Sequence, residues 1–391
     1  MSQENTFDNT AVAFALKSDS ELERAYFLFK MISKQPLVRI GAAATNFALK
    51  VNLPVEGLIR ATVFDHFCGG VNESDCEPVI DKMYSKGVSS VLDFSVEGKE
   101  TETYFEAAKD KIIRIIQFAK EKEAIPIVVF KPTGFGRFAL YQKKGEGRAF
   151  SEKEQEEWNR IVERFDAVCK LAKEKEIEVL IDAEESWMQD AADELVEDMM
   201  RKYNTDGTIV YNTLQTYRWD RFEFLRASHE RAKAEGFSLG LKIVRGAYME
   251  KERERAEEKD YKSPICDSKV ITDENFNACL KYILSHLDDI SIFIGTHNEE
   301  STYIALKMMK ELNIVKNDSR VWFGQLYGMS DHISFNLSKL GYNVAKYLPF
   351  GPVKDVMPYL IRRAEENTSV AGQTGRELAL LKKERARRKL V

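Results

Sequence analysis

The chain has 391 residues, 44% of them hydrophobic, which is enough for one large domain or a barrel with an extension. Its 58 basic and 63 acidic side chains nearly cancel, to a net charge of -5, so the charge balance gives no reason to expect nucleic acid as a partner. No run approaches the roughly 20 apolar residues that span a bilayer, and the acid-bearing start MSQENTFDNTAVAFALKSDSELERAY reads as neither signal nor transit peptide.

Residues 10 to 85 read as helical. The stretch SELERAYFLFKMISKQPLVRIGAAATNFALK repeats apolar residues at helical spacing, with Ser20 as the expected cap. From residue 88 the rhythm changes. Short apolar, β-branched runs recur at 88–94 (VSSVLDF), 125–130 (IPIVVF), 177–182 (IEVLID), 208–214 (TIVYNTL), 239–244 (LGLKIV), 290–296 (ISIFIGT), 320–324 (RVWFG) and 343–348 (NVAKYL). Between them lie amphipathic stretches such as EEWNRIVERFDAVCKLAKEKE and NEESTYIALKMMKELN. Near-continuous apolar strands alternating with helices mean a parallel sheet covered by helices. Eight such units favour a closed (βα)8, TIM-like barrel over an open sheet. The expected organisation is an N-terminal helical region at 1–87 packing on the barrel, the barrel at 88–370, and a basic C-terminal helix or tail at 371–391.

In such a barrel, chemistry collects where strands end. The first strand runs into Asp93 and Glu97, the second into Lys131, and the third into Asp182, Glu184 and Glu185. The fourth ends at Gln215 and Tyr217, and the fifth holds Lys242 and Arg245 before Tyr248. The sixth ends in Thr296, His297 and Asn298, the seventh in Gln325 and Tyr327, and the eighth contains Tyr347. Singly these are caps or ion pairs. As a set they cost core stability unless they converge on a ligand or on each other.

In PYLIRRAEEN (358–367), Tyr359, Arg362, Arg363 and Glu366 fall on one helical face. Two adjacent guanidinium groups suit a carboxylate or phosphate, although an arginine pair is most often a solvated surface feature. Gly134, Gly136 and Ala139 satisfy a GxGxxA dinucleotide fingerprint after a strand, but GFGRFALYQKKGEGRAF reads as a loop rather than a helix. Five scattered cysteines (Cys68, Cys76, Cys169, Cys266, Cys279) form no CxxC pair, which argues against a disulfide framework or zinc ribbon and for a reduced, cytoplasmic chain. The histidines show no HExxH, and no metal site is expected. The tail GRELALLKKERARRKLV has six Lys or Arg in its last ten residues; it reads either as a solvated terminal helix or as a surface that docks on the inner face of an anionic membrane.

The blocks LDFSVEG, FKPTGFGR, LIDAEE, YNTLQTYR, LKIVRGAY, IGTHN, FGQLYGMSD and KYLPFGPVKDVMPYLIRRAEEN together resemble the proline dehydrogenase family, in order, from about residue 64 to Asn367. The wording of HFCGG, LDFSVEG and VRGAY is similar to the eukaryotic-type branch. No aldehyde dehydrogenase module follows, so a monofunctional form is expected. The resemblance implies FAD as cofactor, L-proline as substrate and a membrane quinone as electron acceptor. By matching positions, Arg362 and Arg363 clamp the proline carboxylate, while Lys131, Asp182, Tyr248, Tyr347, Tyr359 and Ile243 line the substrate pocket. Gln215, Lys242, Val244, Arg245, Gly246, Thr296, His297, Asn298 and Gln325 hold FAD, and Glu366 meets its dinucleotide portion. Glu97 matches a residue that closes over the substrate by pairing with one of the arginines.

These assignments also make chemical sense. Hydride leaves the ring carbon beside nitrogen only when the amine is neutral, and a desolvated pocket near cationic Lys131 disfavours the ammonium form. Two arginines on the carboxylate orient the ring, which is a proximity effect. Three rivals stand beside this reading. Hydroxyproline dehydrogenase shares the scaffold, but a tyrosine at 347 crowds a 4-hydroxyl group. From another class, Lys131 suits a Schiff-base lyase, and Asp182, Glu184 and Glu185 suit metal ligation or acid–base work. Neither the lyase nor the metal reading accounts for the paired arginines and the IGTHN and QLYGM blocks. Oligomeric state has no signal in the sequence.

Overall fold

Residues 3–34, 36, 38, 41, 43, 45, 56–95, 100–369 and 373–390 are described in a computed structural model of the chain. The strands are β1 (Val88–Phe94), β2 (Ile127–Phe130), β3 (Glu178–Ile181), β4 (Val210–Gln215), β5 (Leu239–Val244), β6 (Ile290–Gly295), β7 (Val321–Leu326) and β8 (Val344–Phe350). They close into one barrel in chain order, as the alternation of apolar runs and helices predicts. Among the helices, α1 (Asp19–Ile32) and α2 (Glu73–Tyr84) precede β1, and α3 (Glu102–Lys120) follows it. Next come α4 (Phe138–Gly145), α5 (Glu152–Lys175), α6 (Ser186–Tyr203), α7 (Arg221–Glu235), α8 (Met249–Glu258), α9 (Lys269–Leu284) and α10 (Glu299–Glu311). The last are α11 (Asp331–Lys339), α12 (Val353–Ser369) and α13 (Gln373–Arg387). Two compact units make up the chain, 1–97 with 324–391, and 98–323.

In the 98–323 unit, β2 to β6 run parallel, with Thr213 opposite Lys242 and Lys242 opposite Phe293. β2 begins at Ile127, two residues later than its apolar run, because Pro126 has no N–H to give the ladder; its carbonyl instead accepts the Glu178 N–H at 3.2 Å. The stretch after β2, expected as a loop, contains the eight-residue helix α4. Tertiary contacts make it helical: Glu100 accepts the Phe138 N–H at 2.9 Å, Leu140 and Tyr141 are buried, and the Tyr141 hydroxyl donates to the Pro132 carbonyl at 2.7 Å. Gly136 of the GxGxxA pattern serves packing, since a Cβ there would lie 2.2 Å from Ile161 Cδ1 on α5.

In the other unit, β1 and β8 pair in parallel from Val88 opposite Val344 to Phe94 opposite Phe350. Helix α1 is capped by Ser18, not Ser20. The Ser18 hydroxyl accepts the Glu21 N–H at 3.2 Å and the Glu21 carboxylate accepts the Ser18 N–H at 2.7 Å, a reciprocal capping box.

The basic C-terminal helix is not a solvated tail. Leu380 and Leu381 of α13 are buried with Phe14, Leu22, Ala25 and Phe29, each leucine and phenylalanine contributing about 1.5–3 kcal/mol by burial. Its cations serve the N-terminal segment. Arg385 reaches Glu23 at 2.5 Å and lies over the Tyr26 ring, Arg388 bonds Asp19 and the Phe14 and Lys17 carbonyls, and Arg376 pairs with Asp8. Among the described residues no helix is long and apolar enough to cross a membrane.

Candidate active site

Within the 98–323 unit, four strand ends are knitted together by polar contacts. Lys131 follows β2 in extended conformation, and its carbonyl accepts the Gly134 N–H at 3.0 Å, closing a tight turn. The Asp182 N–H donates to the Phe130 carbonyl at 2.9 Å, so the ladder between β2 and β3 runs one step beyond the strands. Lys242, 5% exposed, forms an ion pair with Asp182. Since β4 lies between β3 and β5, this pair reaches across a strand and places both charges on the inner side of the sheet. Ile243 is fully buried and falls, by strand alternation, on the face opposite Lys242 and Val244. Gln215, also buried, donates to the Glu184 carbonyl at 3.0 Å.

Arg245 is held in place from three sides. Its Nε donates to Asp273 at 2.7 Å, Nη1 to the Thr296 hydroxyl at 2.9 Å and Nη2 to the Ser301 hydroxyl at 3.0 Å, and its guanidinium lies 4.5 Å from the Phe276 ring centre. Its carbonyl accepts the Tyr217 N–H at 2.7 Å. Gly246 follows with φ +139, and a Cβ there would lie 2.5 Å from the Tyr217 ring, so only glycine fits. Asn298 caps α10 by accepting the Ser301 N–H at 2.9 Å, and its own N–H donates to Thr296. The guanidinium thus touches the first turn of α10, where the helix dipole disfavours a cation. Burial pushes the Asp273 carboxyl up, but Lys269 and Arg245 outweigh it and hold it below the usual range. His297, between Thr296 and Asn298 in the chain, is half-buried, and Tyr248 is half-buried at the start of α8.

In the 1–97 and 324–391 unit, Tyr347 is buried on β8 opposite Val91, and its carbonyl accepts the Tyr327 N–H at 2.8 Å. Gln325 on β7 is buried and accepts the Ser334 hydroxyl at 2.7 Å. On α12, Tyr359 is buried among Val353, Val356, Met357 and Leu360, the Arg363 guanidinium lies 5.5 Å from its ring centre, and Arg362 and Arg363 are half-buried. Glu97 lies outside the described residues. Glu366 belongs to α12, with its side chain likewise outside what is described.

The sequence reading missed several supports of these side chains. Lys346, beside Tyr347, is fully buried and pairs with Asp331 at 2.8 Å; a lone charge inside the apolar run NVAKYL was its only signal. Asp273 and Ser301 fix Arg245, but Asp273 pairs with Lys269 four residues away and reads from sequence as an ordinary surface pair. Thr133, bonded to Glu184, had no signal at all.

A family sequence profile described as "Proline dehydrogenase" matches residues 76–376. The carbapenem antibiotics biosynthesis protein CarD of Pectobacterium carotovorum subsp. carotovorum is 38% identical over 85% of this chain and 86% of its own length. Arabidopsis thaliana proline dehydrogenase 2, mitochondrial, is 30% identical over 96% of this chain and 89% of its own. Human proline dehydrogenase 1, mitochondrial, is 40% identical over 61% of this chain, which spans only 40% of that protein. Among solved structures, proline utilization A (PutA) from Bdellovibrio bacteriovorus matches with a TM-score of 0.70 over 92% of this chain and 38% of the PutA chain. At 21% identity that likeness speaks for the barrel alone. Motif order, strand-end residues and family profile agree, and the chain belongs to the proline dehydrogenase family.

Proposed function

We propose that this chain oxidises L-proline to Δ1-pyrroline-5-carboxylate, with FAD as cofactor and a membrane quinone as final acceptor. The observation that carries the cofactor reading is Arg245 at the first turn of α10. A cation at a helix N-terminus is misplaced for the helix alone, and both favour a bound anion such as a dinucleotide pyrophosphate. Gln215, Lys242, Val244, Arg245, Gly246, Thr296, His297, Asn298, Gln325 and Glu366 are the residues assigned to hold FAD, which when bound supplies a two-electron acceptor.

Arg362 and Arg363 bind the substrate carboxylate and so orient the ring. Tyr359, buried beneath Arg363, stiffens that end of the helix face. Lys131, Asp182, Tyr248 and Tyr347 are the side chains assigned to the substrate, and Glu97, outside the described residues, is the one assigned to cover it. Lys131 disfavours a protonated amine nearby, so the substrate nitrogen releases its proton before oxidation. The Lys242–Asp182 pair keeps a positive group at the strand end without leaving it an uncompensated buried charge. No protein nucleophile takes part. Peripheral contact of a cytoplasmic protein with the membrane goes with the quinone assignment.

An anaerobic absorbance spectrum of the purified protein, before and after L-proline, tests the proposal. Flavin bands that bleach with proline and much less with hydroxyproline are the expected result. Bleaching with hydroxyproline alone assigns the sister activity, and well-folded protein that takes up no FAD returns Lys131 to the Schiff-base reading.

A further inference from the structure

Glu184 is 6% exposed, and each of its polar groups holds a different part of the 98–323 unit. Its two carboxyl oxygens accept the Thr133 N–H at 3.0 Å and the Thr133 hydroxyl at 2.7 Å. Its backbone N–H donates to the Gln189 side chain at 2.8 Å in the first turns of α6, and its carbonyl accepts from Gln215 at the end of β4. Gln189 in turn donates to Asp193 at 2.7 Å, which is bonded by Asn212 and by Arg221, so the contact is anchored in a buried network.

Thr133 sits in the single turn that begins at Lys131. That turn is pinned on its other side by the Tyr141 hydroxyl on the Pro132 carbonyl. Burying a carboxyl is costly unless it is well bonded. Burial pushes Glu184 up to about 7, against the two Thr133 bonds and the positive field of Lys131. A side chain kept at that cost, with both oxygens on one threonine, serves to hold the turn.

We infer that Glu184 is a positioning residue for the reaction: through Thr133 it sets the backbone from which Lys131 projects. This rests on the proposed oxidation of proline, and Glu184 itself is not assigned a contact with substrate. The requirement is specific. A glutamine at 184 keeps an acceptor for the Thr133 N–H, but its amide must donate to a Thr133 hydroxyl turned round to accept, and the charge assistance of both bonds is lost.

The test combines amide hydrogen exchange with a double-mutant cycle on the FAD-loaded full chain. In Glu184→Gln, exchange at 131–135 is expected to speed up while flavin content stays at the wild-type level. kcat/KM for proline is expected to fall by about ten- to a hundredfold, the loss that goes with a charge-assisted hydrogen bond. Thr133→Val should give a similar fall. In a Lys131→Met background, adding Glu184→Gln should change kcat/KM by less than about twofold, because both act through one group. Unchanged exchange at 131–135, or fully additive losses in the cycle, overturns the inference. A wild-type chain that binds FAD yet is not reduced by proline overturns the proposed function instead, and this inference with it. The exchange result separates the two failures, because it does not depend on turnover.

Discussion

Lys346 on β8 and Asp331 at the start of α11 form an ion pair at 2.8 Å, with side chains 1% and 7% exposed. Asp331 also meets Lys17 at 3.2 Å, and Lys346 donates to the Met329 carbonyl at 2.7 Å. Burial pushes the Asp331 carboxyl up, but the two lysines outweigh it and hold it well below the carboxylate range. Removing one partner leaves a buried charge uncompensated. Asp331→Asn is therefore expected to destabilise the chain by about 3–5 kcal/mol in urea unfolding, whereas Lys17→Met, Asp331→Leu and Lys346→Met together, which remove both cations with the anion, should lose far less. Equal losses in both would mean the pair contributes through packing rather than charge.

The same depressed carboxyl sets a low-pH limit. Its stabilisation is present above the unfolded value of about 3.9 and is lost as pH falls through the folded value. Glu178, at the start of β3, has the opposite sign: burial pushes it up to about 8. Between about pH 4.3 and 8 the folded chain keeps a proton there that the unfolded chain releases, so stability falls as pH rises, by up to about 1.4 kcal/mol per unit. Glu178→Gln should flatten this slope, leaving the smaller share from Glu184. Denaturant midpoints at pH 5, 6.5 and 8 measure it, and an unchanged slope would clear Glu178 of the effect.

Arg362→Ala and Arg363→Ala are each expected to raise the KM for proline by at least about tenfold while FAD stays bound, since a charged pairing to a carboxylate is lost. Steady-state kinetics with parallel flavin spectra provide the check. Unaltered KM in both variants would sink the carboxylate assignment.

Gly246→Ala should be costly for a residue at a surface turn. Its φ of +139 and the Tyr217 ring 2.5 Å from an added Cβ force the backbone to move, by roughly 1–3 kcal/mol of strain. Arg245 precedes it and Tyr248 follows two residues on, so weaker FAD retention should accompany the loss of thermal stability. Retention equal to wild type would detach this bend from cofactor binding.

Membrane docking by the C-terminal helix needs a gentler test than deletion. Cutting the chain near Gln373 would uncover Phe14, Leu22 and Phe29 and damage the fold. Lys382 and Lys389 are exposed. If this C-terminal segment docks, changing both to Glu should weaken binding to vesicles containing anionic lipid by about thirtyfold or more, at about 1 kcal/mol per basic residue near the surface. Sedimentation with such vesicles gives the answer, and identical binding by the double variant would rule this helix out as the docking surface.

The sequence by itself determined the barrel, because each strand is a short apolar run and each helix a longer amphipathic one, and periodicity is a local property. It also located the strand-end residues Lys131, Asp182, Lys242, Arg245 and Thr296, whose polarity breaks the apolar pattern at the points where β2, β3, β5 and β6 finish. Tertiary structure decided what those side chains do to one another. Asp182 and Lys242 are sixty residues apart in the chain and paired in space. Helix α4 forms where its sequence reads as a loop, since Glu100 and Pro132 supply its contacts from outside the segment. The basic tail became a buried clasp on α1 for the same reason: burial and partner choice depend on residues hundreds of positions away, and no local pattern in α13 records the presence of Phe14, Glu23 or Asp19.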